Sequence, residues 1–379
     1  MKSHEEPTPI AQAPRNKPGE TPDLSIVVPT YKEAENIEPL GGRIFAVTSS
    51  ANFSTELIVV DDDSQDGIDL KCRELATRYN VRLITRNGAR GLATAVLHGM
   101  SQARGRLLVC MDADLSHPPE AIPAMVQALN RGADFVLASR YTRGGGIKHG
   151  WGPHRFAISK LATLLARPLA SVTDPMSGFF ALPRAEFLHA HDLAPLGYKV
   201  ALELLVRLAP KRLVEVPIHF EDRRFGKSKL SLHVQLEYLR HLRRLYRYKY
   251  PFVLELGQFL LVGFLGLILD LGVYVGTQLF LGLNHILARS VAFICSGSHN
   301  WFRNRHHTFL YGRMRRPLPQ WVSYLFVVSL GFLVNVGTYT VLTVGTRAFA
   351  DRRYLAMLTG ILAGAVLNFY VFSRSPARQ

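Results

Sequence analysis

The stretch Leu107-Leu-Val-Cys-Met-Asp-Ala-Asp114 joins a short apolar run to an Asp-x-Asp sequence. Four similar β-rich runs, at 24–28, 57–60, 81–84 and 135–138, alternate with segments of helical pattern. Apolar runs of this length between amphipathic segments are typical of parallel strands in an α/β sheet. The pattern therefore predicts an α/β domain with a mainly parallel sheet, whose ligands bind beyond the carboxyl ends of the strands.

Acidic residues stand where three of the predicted strands end, in Pro29-Thr-Tyr-Lys-Glu33, Asp61-Asp-Asp-Ser64 and Asp112-Ala-Asp114. Like charges so close together repel each other unless a cation or the donors of a ligand neutralise them. Asp112 and Asp114, at i and i+2, point to the same side of an extended segment, as two ligands of one Mg²⁺ or Mn²⁺ ion must. Such an ion takes its other ligands from diphosphate oxygens and water, which predicts a nucleotide-sugar site. For a lone Asp-x-Asp the alternative is a turn or a helix cap.

Basic residues further along the chain are candidates to stabilise a leaving diphosphate. Arg140 follows the fifth predicted strand, and Arg223 and Lys229 bound the stretch Arg223-Arg-Phe-Gly-Lys-Ser-Lys229. Arginine offers bidentate donors to phosphate and lysine a point charge. Because glycine is unfavourable in a helix, Gly226 predicts a loop that folds over the donor. Surface solvation is the alternative for any one of these cations.

The composition changes after Leu256. Four mostly apolar segments, at 256–283, 286–302, 321–344 and 354–372, are each near the length that crosses about 30 Å of hydrocarbon, and predict four transmembrane helices. The loop between the second and third contains several arginines: Arg303, Arg305, Arg313, Arg315 and Arg316. By the positive-inside rule this loop is cytosolic, and the α/β domain and both termini then lie on the same side.

The membrane half repeats itself. Asp270-Leu-Gly-Val-Tyr274 matches Asn335-Val-Gly-Thr-Tyr339, and Asn300-Trp-Phe302 matches Asn368-Phe-Tyr370. Two copies of a helical hairpin explain both matches, and chance similarity between apolar segments is the alternative.

The net charge of +16 is compatible with nucleic acid, anionic lipid or a phosphorylated substrate as partner. Arginines alternate with Leu236, Leu239, Leu242 and Leu245 directly before the first predicted membrane helix, which predicts an amphipathic helix on an anionic membrane face. Anionic lipid is therefore favoured over nucleic acid. The predicted parts are a disordered tail at 1–22, a cytosolic domain at 23–229, an interfacial linker at 230–251 and a membrane domain at 252–379.

Residues 24 to about 232 resemble glycosyltransferase family 2, specifically its dolichol-phosphate mannose synthase type. The motifs that carry the resemblance are Pro29-Thr-Tyr-Lys-Glu-Ala-Glu-Asn36, Val60-Asp-Asp-Asp-Ser-Gln-Asp-Gly67, Asp112-Ala-Asp-Leu-Ser-His-Pro-Pro-Glu120, Ala138-Ser-Arg-Tyr141, Asp174-Pro-Met-Ser-Gly178 and Gly226-Lys-Ser-Lys-Leu230. The membrane half resembles the GtrA-type four-helix domain at Asn300-Trp-Phe-Arg-Asn-Arg305 and Thr308-Phe309.

The resemblance implies a nucleotide-diphospho-sugar transferase fold and a set of site residues. Nucleoside-binding positions are matched by Pro29, Tyr31, Glu33, Val60 and Asp62. The diphosphate–metal site is matched by Asp112, Ala113 and Asp114, with Asp112 and Asp114 as metal ligands. Positions that hold the donor's phosphates or sugar are matched by Arg140, Lys199, Arg223 and Lys229. The family usually has Gln where this chain has Ser116, so a water in place of the longer side chain and a weaker or altered metal site are expected.

The implied reaction is inverting transfer of a hexose, expected to be mannose from GDP-mannose, to a polyprenyl phosphate at the cytosolic face of the cell membrane. UDP-glucose is the alternative donor. A protein that moves lipid-linked sugars, with a non-catalytic cytosolic domain, is the alternative of a different class. A processive polysaccharide synthase is disfavoured, because the chain has no Gln-x-x-Arg-Trp motif.

Overall fold

The computed structural model describes residues 21–88, 90–147, 153–194, 197, 199–221, 232–308, 316–345, 349 and 353–373. Contacts divide the chain into two units, Met1–Lys249 and Tyr250–Gln379.

The first unit is built on a seven-stranded sheet of order β3-β2-β1-β4-β7-β5-β8, with a separate two-stranded sheet of β6 and β9. The strands are β1 Leu24–Thr30, β2 Thr55–Asp61, β3 Val81–Thr85, β4 Leu107–Cys110, β5 Phe135–Ser139, β6 Gly146–Ile147, β7 Phe180–Pro183, β8 Leu213–Pro217 and β9 His219–Phe220. All five predicted strands are present, and the mainly parallel sheet is confirmed. The sequence pattern missed two strands of this sheet: β8, which is parallel to β5, and β7, which is four residues long and antiparallel to both β4 and β5.

Eight helices of the first unit lie within the described residues: α1 Ala34–Ser50, α2 Ile68–Arg78, α3 Leu92–Gln102, α4 Ile122–Asn130, α5 Pro153–Ala166, α6 Arg184–His189, α7 Val200–Leu208 and α8 Leu232–Lys249. Helix α3 approaches the sheet closely at Gly99, where a Cβ would meet the side chains of Val27 and Val60 at 2.5 and 2.7 Å. Strands β1 and β2 are buried along their whole length, as their unbroken apolar runs require.

The carboxyl ends of β1, β2 and β4 meet at one edge of the sheet, because these strands are parallel neighbours. Pro29 is paired with Val60 and Thr30 with Asp61, while Val27 on the other side is paired with Cys110. The acidic segments that follow β2 and β4 therefore emerge at the same edge, on either side of β1.

Helix α8 covers most of the predicted interfacial linker and belongs to the first unit by its contacts. The hydroxyls of Tyr238 and Tyr246 each donate to a backbone carbonyl of α5 at 2.7 Å. Leu242 and Leu245 are buried, so they do not lie on the exposed face that the sequence pattern assigned to them. Leu236 and Leu239 remain exposed.

The second unit contains α9 Pro251–Leu281, α10 His285–Arg303, α11 Pro317–Gly345 and α12 Arg353–Ser373, with a π-helical turn at Asn304–Thr308. Each of the four apolar segments is thus helical. Of the helices described, α9 and α11 are long and apolar enough to cross a membrane by length and composition, and α12 contains a shorter apolar stretch at Leu358–Phe372.

The same kind of packing contact occurs within each of the two hairpins of the second unit. Gly266 of α9 lies against the amide of Asn300 in α10 so closely that a Cβ does not fit, and Gly331 of α11 lies in the same way against Asn368 in α12. Asp270, four residues after Gly266, accepts a hydrogen bond from Ser296 at 3.2 Å. Asn335, four residues after Gly331, lies against Gly360 and Gly364. The sequence repeat thus corresponds to a repeat of contacts.

Candidate active site

The Asp-x-Asp sequence forms a buried turn directly after β4. Asp114 is almost fully buried, and its Oδ1 accepts hydrogen bonds from the backbone N–H of Ser116 at 3.1 Å and from its hydroxyl at 2.5 Å. Leu115, between them, adopts a left-handed conformation with φ of 62°. Ser116 therefore orients the carboxylate of Asp114. Ala113 instead packs its side chain in the core.

Asp112 is held by two residues to which the sequence analysis gave no role. Its backbone N–H donates to Nδ1 of His117 at 3.1 Å, so the neutral imidazole carries its proton on Nε2. The imidazole packs against the rings of Phe179 and Phe220. Gly178 lies so near that a Cβ there would stand 3.4 Å from the Asp112 carboxylate. One third of the Asp112 side chain is exposed, whereas Asp114 is almost fully buried.

Arg140 forms a bidentate ion pair with Asp174. Nε and Nη2 of Arg140 donate to the two carboxylate oxygens at 2.7 and 2.8 Å, and its backbone N–H donates at 3.1 Å. Burial opposes ionisation of both groups, but the hydrogen bonds and charges of the pair outweigh it, so the pKa of Asp174 is lowered and that of Arg140 is raised. The sequence analysis predicted that the positive charge of Arg140 stabilises a diphosphate. Much of that charge is instead balanced by Asp174 within the protein.

Lys199 stands directly before α7, and its Nζ donates to the carbonyl of Met176 at 3.1 Å. Burial, together with the charge of Arg140, lowers the pKa of Lys199 to about 7, although Asp174 and Asp112 act in the opposite direction. The segment Asp174–Gly178 brings the predicted site residues together, because Asp174 pairs with Arg140, the carbonyl of Met176 accepts from Lys199, and Gly178 lies beside the Asp112 carboxylate.

The carboxylates that follow β2 are neutralised by the protein's own donors. Asp61 accepts hydrogen bonds from Thr30 and Ser64. Asp62 accepts from the backbone N–H of Gly91 at 2.7 Å and pairs with Arg86 at 3.1 Å. At the end of β2, the charge of Asp62 is thus paired with Arg86, whereas Asp61 is held by uncharged donors. Arg86 directly follows β3, and its position after a predicted strand was the signal that could have found it.

The other positions matched to nucleoside binding lie at the same edge of the sheet. The side chain of Val60 is buried against Gly99, so a ligand could meet Val60 only through its backbone. The hydroxyl of Tyr31 accepts a hydrogen bond from Arg90 at 2.9 Å, and the guanidinium lies 4.7 Å from the ring centre. Glu33 accepts a hydrogen bond from Asn36 at 2.7 Å. With these contacts, the side chains of Tyr31 and Glu33 lie just before the start of α1.

An open cavity of about 450 Å³ lies at the carboxyl end of β3, lined by Thr85, Arg86, Asn87, Gly88, Thr94 and His98. It adjoins Asp62 through Arg86 but does not include the Asp112–Ser116 turn.

Arg223 and Lys229 lie outside the described residues. The last described residue before them, Glu221, donates its backbone N–H to the carbonyl of Ser116 at 3.3 Å. The chain therefore passes beside the Asp112–Ser116 turn immediately before the stretch that contains both cations.

Among the described residues, no group of three or more His, Cys, Asp or Glu side chains is arranged to hold a metal ion. The Asp112–Asp114 pair nevertheless fits Mg²⁺ or Mn²⁺. These hard cations are commonly bound by one or two carboxylates plus substrate phosphates and water. Asp112, partly exposed, and Asp114, oriented by Ser116, supply such oxygen ligands.

Residues 25–194 match the family described as Glycosyl transferase family 2, and residues 258–375 match the GtrA/DPMS transmembrane domain. A solved structure of glucosyl-3-phosphoglycerate synthase from Mycobacterium tuberculosis, in complex with Mn²⁺, UDP and glucosyl-3-phosphoglycerate, overlaps 62% of this chain and 86% of its own, with a TM-score of 0.45 and 20% identity. The mainly parallel sheet and the two matched families define a membrane glycosyltransferase.

Three curated relatives of this chain are named dolichol-phosphate mannosyltransferase. The protein from Pyrococcus furiosus is 35% identical over 93% of this chain and 98% of its own. Those from Saccharomyces cerevisiae and Mycosarcoma maydis are 45% and 44% identical over 60% and 61% of this chain, and 88% and 81% of their own. The chain belongs to the family of these transferases within glycosyltransferase family 2. An enzyme is thereby favoured over the transport protein that the sequence left open.

Proposed function

We propose that this enzyme transfers mannose from GDP-mannose to a polyprenyl phosphate of the dolichyl type, at the cytosolic face of the cell membrane. One observation carries the proposal: the segment Asp174–Gly178 lies beside the Asp112 carboxylate at Gly178, and it also binds Arg140 through Asp174 and Lys199 through the carbonyl of Met176. The names of the relatives support mannose as the sugar and a dolichyl phosphate as the acceptor.

In the proposed reaction an oxygen of the acceptor phosphate attacks the anomeric carbon in line, the bond to the diphosphate breaks, and the configuration inverts. The acceptor phosphate is already anionic at neutral pH, so no general base is needed to activate it. Catalysis then depends on positioning and on stabilising the charge that develops on the leaving diphosphate.

The residues of the site are proposed to have different roles in positioning the donor and stabilising the leaving diphosphate. Lys199 supplies a cation beside Asp112, while Arg140, balanced by Asp174, acts mainly as a fixed array of donors. Asp112 and Asp114 would hold Mg²⁺ or Mn²⁺, which when bound neutralises charge on the diphosphate. Arg223 and Lys229 are proposed to cover the diphosphate. Pro29, Tyr31, Glu33, Val60 and Asp62 are proposed to line the nucleoside site.

The acceptor cannot leave the bilayer, which explains why the catalytic domain is joined to a transmembrane domain. We propose a multi-pass arrangement of α9 to α12 with the catalytic domain in the cytosol. Exposed leucines and arginines of α8, with Leu236 and Leu239 among them, suit contact with anionic lipid.

The metal role is tested with Asp114→Asn, which keeps an acceptor for the Ser116 hydroxyl but removes the charge. Transfer from GDP-mannose and from UDP-glucose to a short polyprenyl phosphate is measured with and without chelator. We expect chelator to abolish transfer and Asp114→Asn to lower its rate by at least about two orders of magnitude, as the loss of a key electrostatic contact does.

Asp134→Asn is the matched control, because that carboxylate also accepts backbone N–H groups, from Lys211 and Arg212, but before β5 and away from the turn. It should leave the rate nearly unchanged. Transfer that survives both chelator and Asp114→Asn would contradict the metal role, and transfer from UDP-glucose alone would contradict the proposed donor.

A further inference from the structure

A second set of buried charges lies between α7 and α8, and we call it the α7–α8 charge cluster: Glu203, Arg207, His241 and Arg244. Glu203 is fully buried, and its carboxylate accepts hydrogen bonds from Arg244 at 2.6 Å and from Arg207 at 3.4 Å. The Nδ1 atom of His241, also fully buried, lies 3.7 Å from the same carboxylate. None of these residues has a role in the proposed reaction.

The charge of Glu203 is balanced by arginine, not by histidine. Burial lowers the pKa of His241 to about 4, and the charges of Arg244 and Lys199 add to this effect although Glu203 opposes it. His241 is therefore neutral near pH 7. The carboxylate in α7 thus depends on a cation from α8, Arg244, together with Arg207 one turn further along α7.

The cluster is directly connected to Lys199. The backbone N–H of Glu203 donates to the carbonyl of Lys199 at 3.3 Å, so the two residues bound the first turn of α7. From that position the Lys199 ammonium reaches the carbonyl of Met176, which lies between Asp174 and Gly178 in sequence. A shift of this turn would move the ammonium away from the carbonyl of Met176 and so from the segment that lies beside Asp112 at Gly178.

A second contact fixes the same two helices. The guanidinium of Arg207 lies 4.1 Å from the ring centre of Tyr248 in α8. Together, the Arg207–Tyr248 contact and the Glu203–Arg244 pair hold α7 against α8 at two successive turns. A buried ion pair is seldom more stabilising than apolar residues of the same volume, so stability alone does not account for a carboxylate here.

We propose that Glu203 is a positioning residue: through its ion pair with Arg244 it fixes the first turn of α7 and thereby holds the Lys199 ammonium at the carbonyl of Met176, in the segment whose Gly178 lies beside Asp112. The inference rests on the proposed function, in which Lys199 stabilises the leaving diphosphate. Glu203 itself touches neither substrate nor the reacting atoms.

The test compares Glu203→Gln in the wild type and in a Lys199→Met background, with transfer from GDP-mannose to a short polyprenyl phosphate as readout. In the wild type we expect kcat to fall about tenfold, because small misplacement of a catalytic group costs up to about a hundredfold. The KM for donor should stay within about twofold. In the Lys199→Met background Glu203→Gln should lower kcat no further, because the group that it positions is absent.

Glu56→Gln is the matched control. Glu56 is equally buried, accepts from Ser25 and from the backbone N–H of Arg104, and pairs with Arg82 at 3.3 Å, near the amino end of β2. It should affect kcat little, and by the same factor in both backgrounds, even where it lowers the melting temperature.

An equal loss of kcat from Glu203→Gln in both backgrounds, or no loss in the wild type, would overturn the inference. If Glu203→Gln does not fold, Arg244→Gln, at a partly exposed position, is measured in both backgrounds by the same criterion. Absence of transfer in the wild type itself would instead overturn the proposed function.

Discussion

At Lys199 the site contains a cation whose charge depends on pH near neutrality, since burial lowers its pKa to about 7. The charge is present below that pH and is lost as the pH rises through it. Arg140, by contrast, stays charged throughout, because its guanidinium is paired with Asp174. The two cations therefore respond differently to pH although they lie in one site.

We predict that kcat/KM for the donor falls above about pH 7, and that Lys199→Arg shifts this fall to higher pH because a guanidinium stays protonated. Steady-state rates from pH 6 to 9 at constant ionic strength check this. Lys199→Arg is also expected to be slower at pH 6, since arginine does not reproduce the contact with Met176. Identical profiles in the two proteins would show that another group causes the fall.

Residues of one type differ in role according to the donors around them. Asp61 and Asp62 follow a buried strand, as Asp112 and Asp114 do, but their charges are met by Arg86 and by local N–H and O–H groups. Asp112 keeps an exposed carboxylate edge. Exposure therefore distinguishes Asp112 from the aspartates after β2, whereas Asp114 accepts hydrogen bonds from Ser116 much as Asp61 does from Ser64.

Among the elements, the two hairpins of the second unit depend on close approach at glycines, at Gly266 in the first hairpin and at Gly331, Gly360 and Gly364 in the second. In membranes, small residues allow helix backbones to pack closely, and polar side chains add interhelical hydrogen bonds. Gly266 and Gly331 provide such approaches beside Asn300 and Asn368.

We predict that Gly266→Val destabilises the protein by about 1–3 kcal/mol, the usual cost of overpacking. Gly263→Val is the matched control, because it lies on the same helix with no atom within 4 Å of an added Cβ, and it should change stability by less than about 0.5 kcal/mol. Unfolding in detergent measures both. The pair Gly331→Val and Gly337→Val repeats the comparison in the second hairpin. Equal effects of a pair would contradict the role given to the close contact.

On the scale of the whole molecule, the first unit has its own core and holds every described residue of the candidate site. Truncation after Lys249 is therefore expected to leave a protein that binds donor nucleotide. It should lose efficiency mainly toward long-chain acceptors in membranes, because the transmembrane domain is gone.

Nucleotide binding by calorimetry and transfer to short and long polyprenyl phosphates, each with full-length and truncated protein, check this prediction. The truncated protein with Asp114→Asn serves as the control for metal-dependent binding. If truncation abolished nucleotide binding, the assignment of the donor site to the first unit would be wrong.

The sequence by itself determined five of the six parallel strands of the main sheet and the four apolar helices, because both depend on local patterns of apolar residues. It also located the Asp112–Asp114 turn, since the carboxyl end of a buried strand can be read from the strand. Only the tertiary structure decided which charged side chains form ion pairs. Arg140 reaches Asp174 across 34 residues and Arg244 reaches Glu203 across 41, both through contacts between separate elements. No local period encodes such pairings, so the balance of charge around Lys199 follows from the packing of β5, α7 and α8.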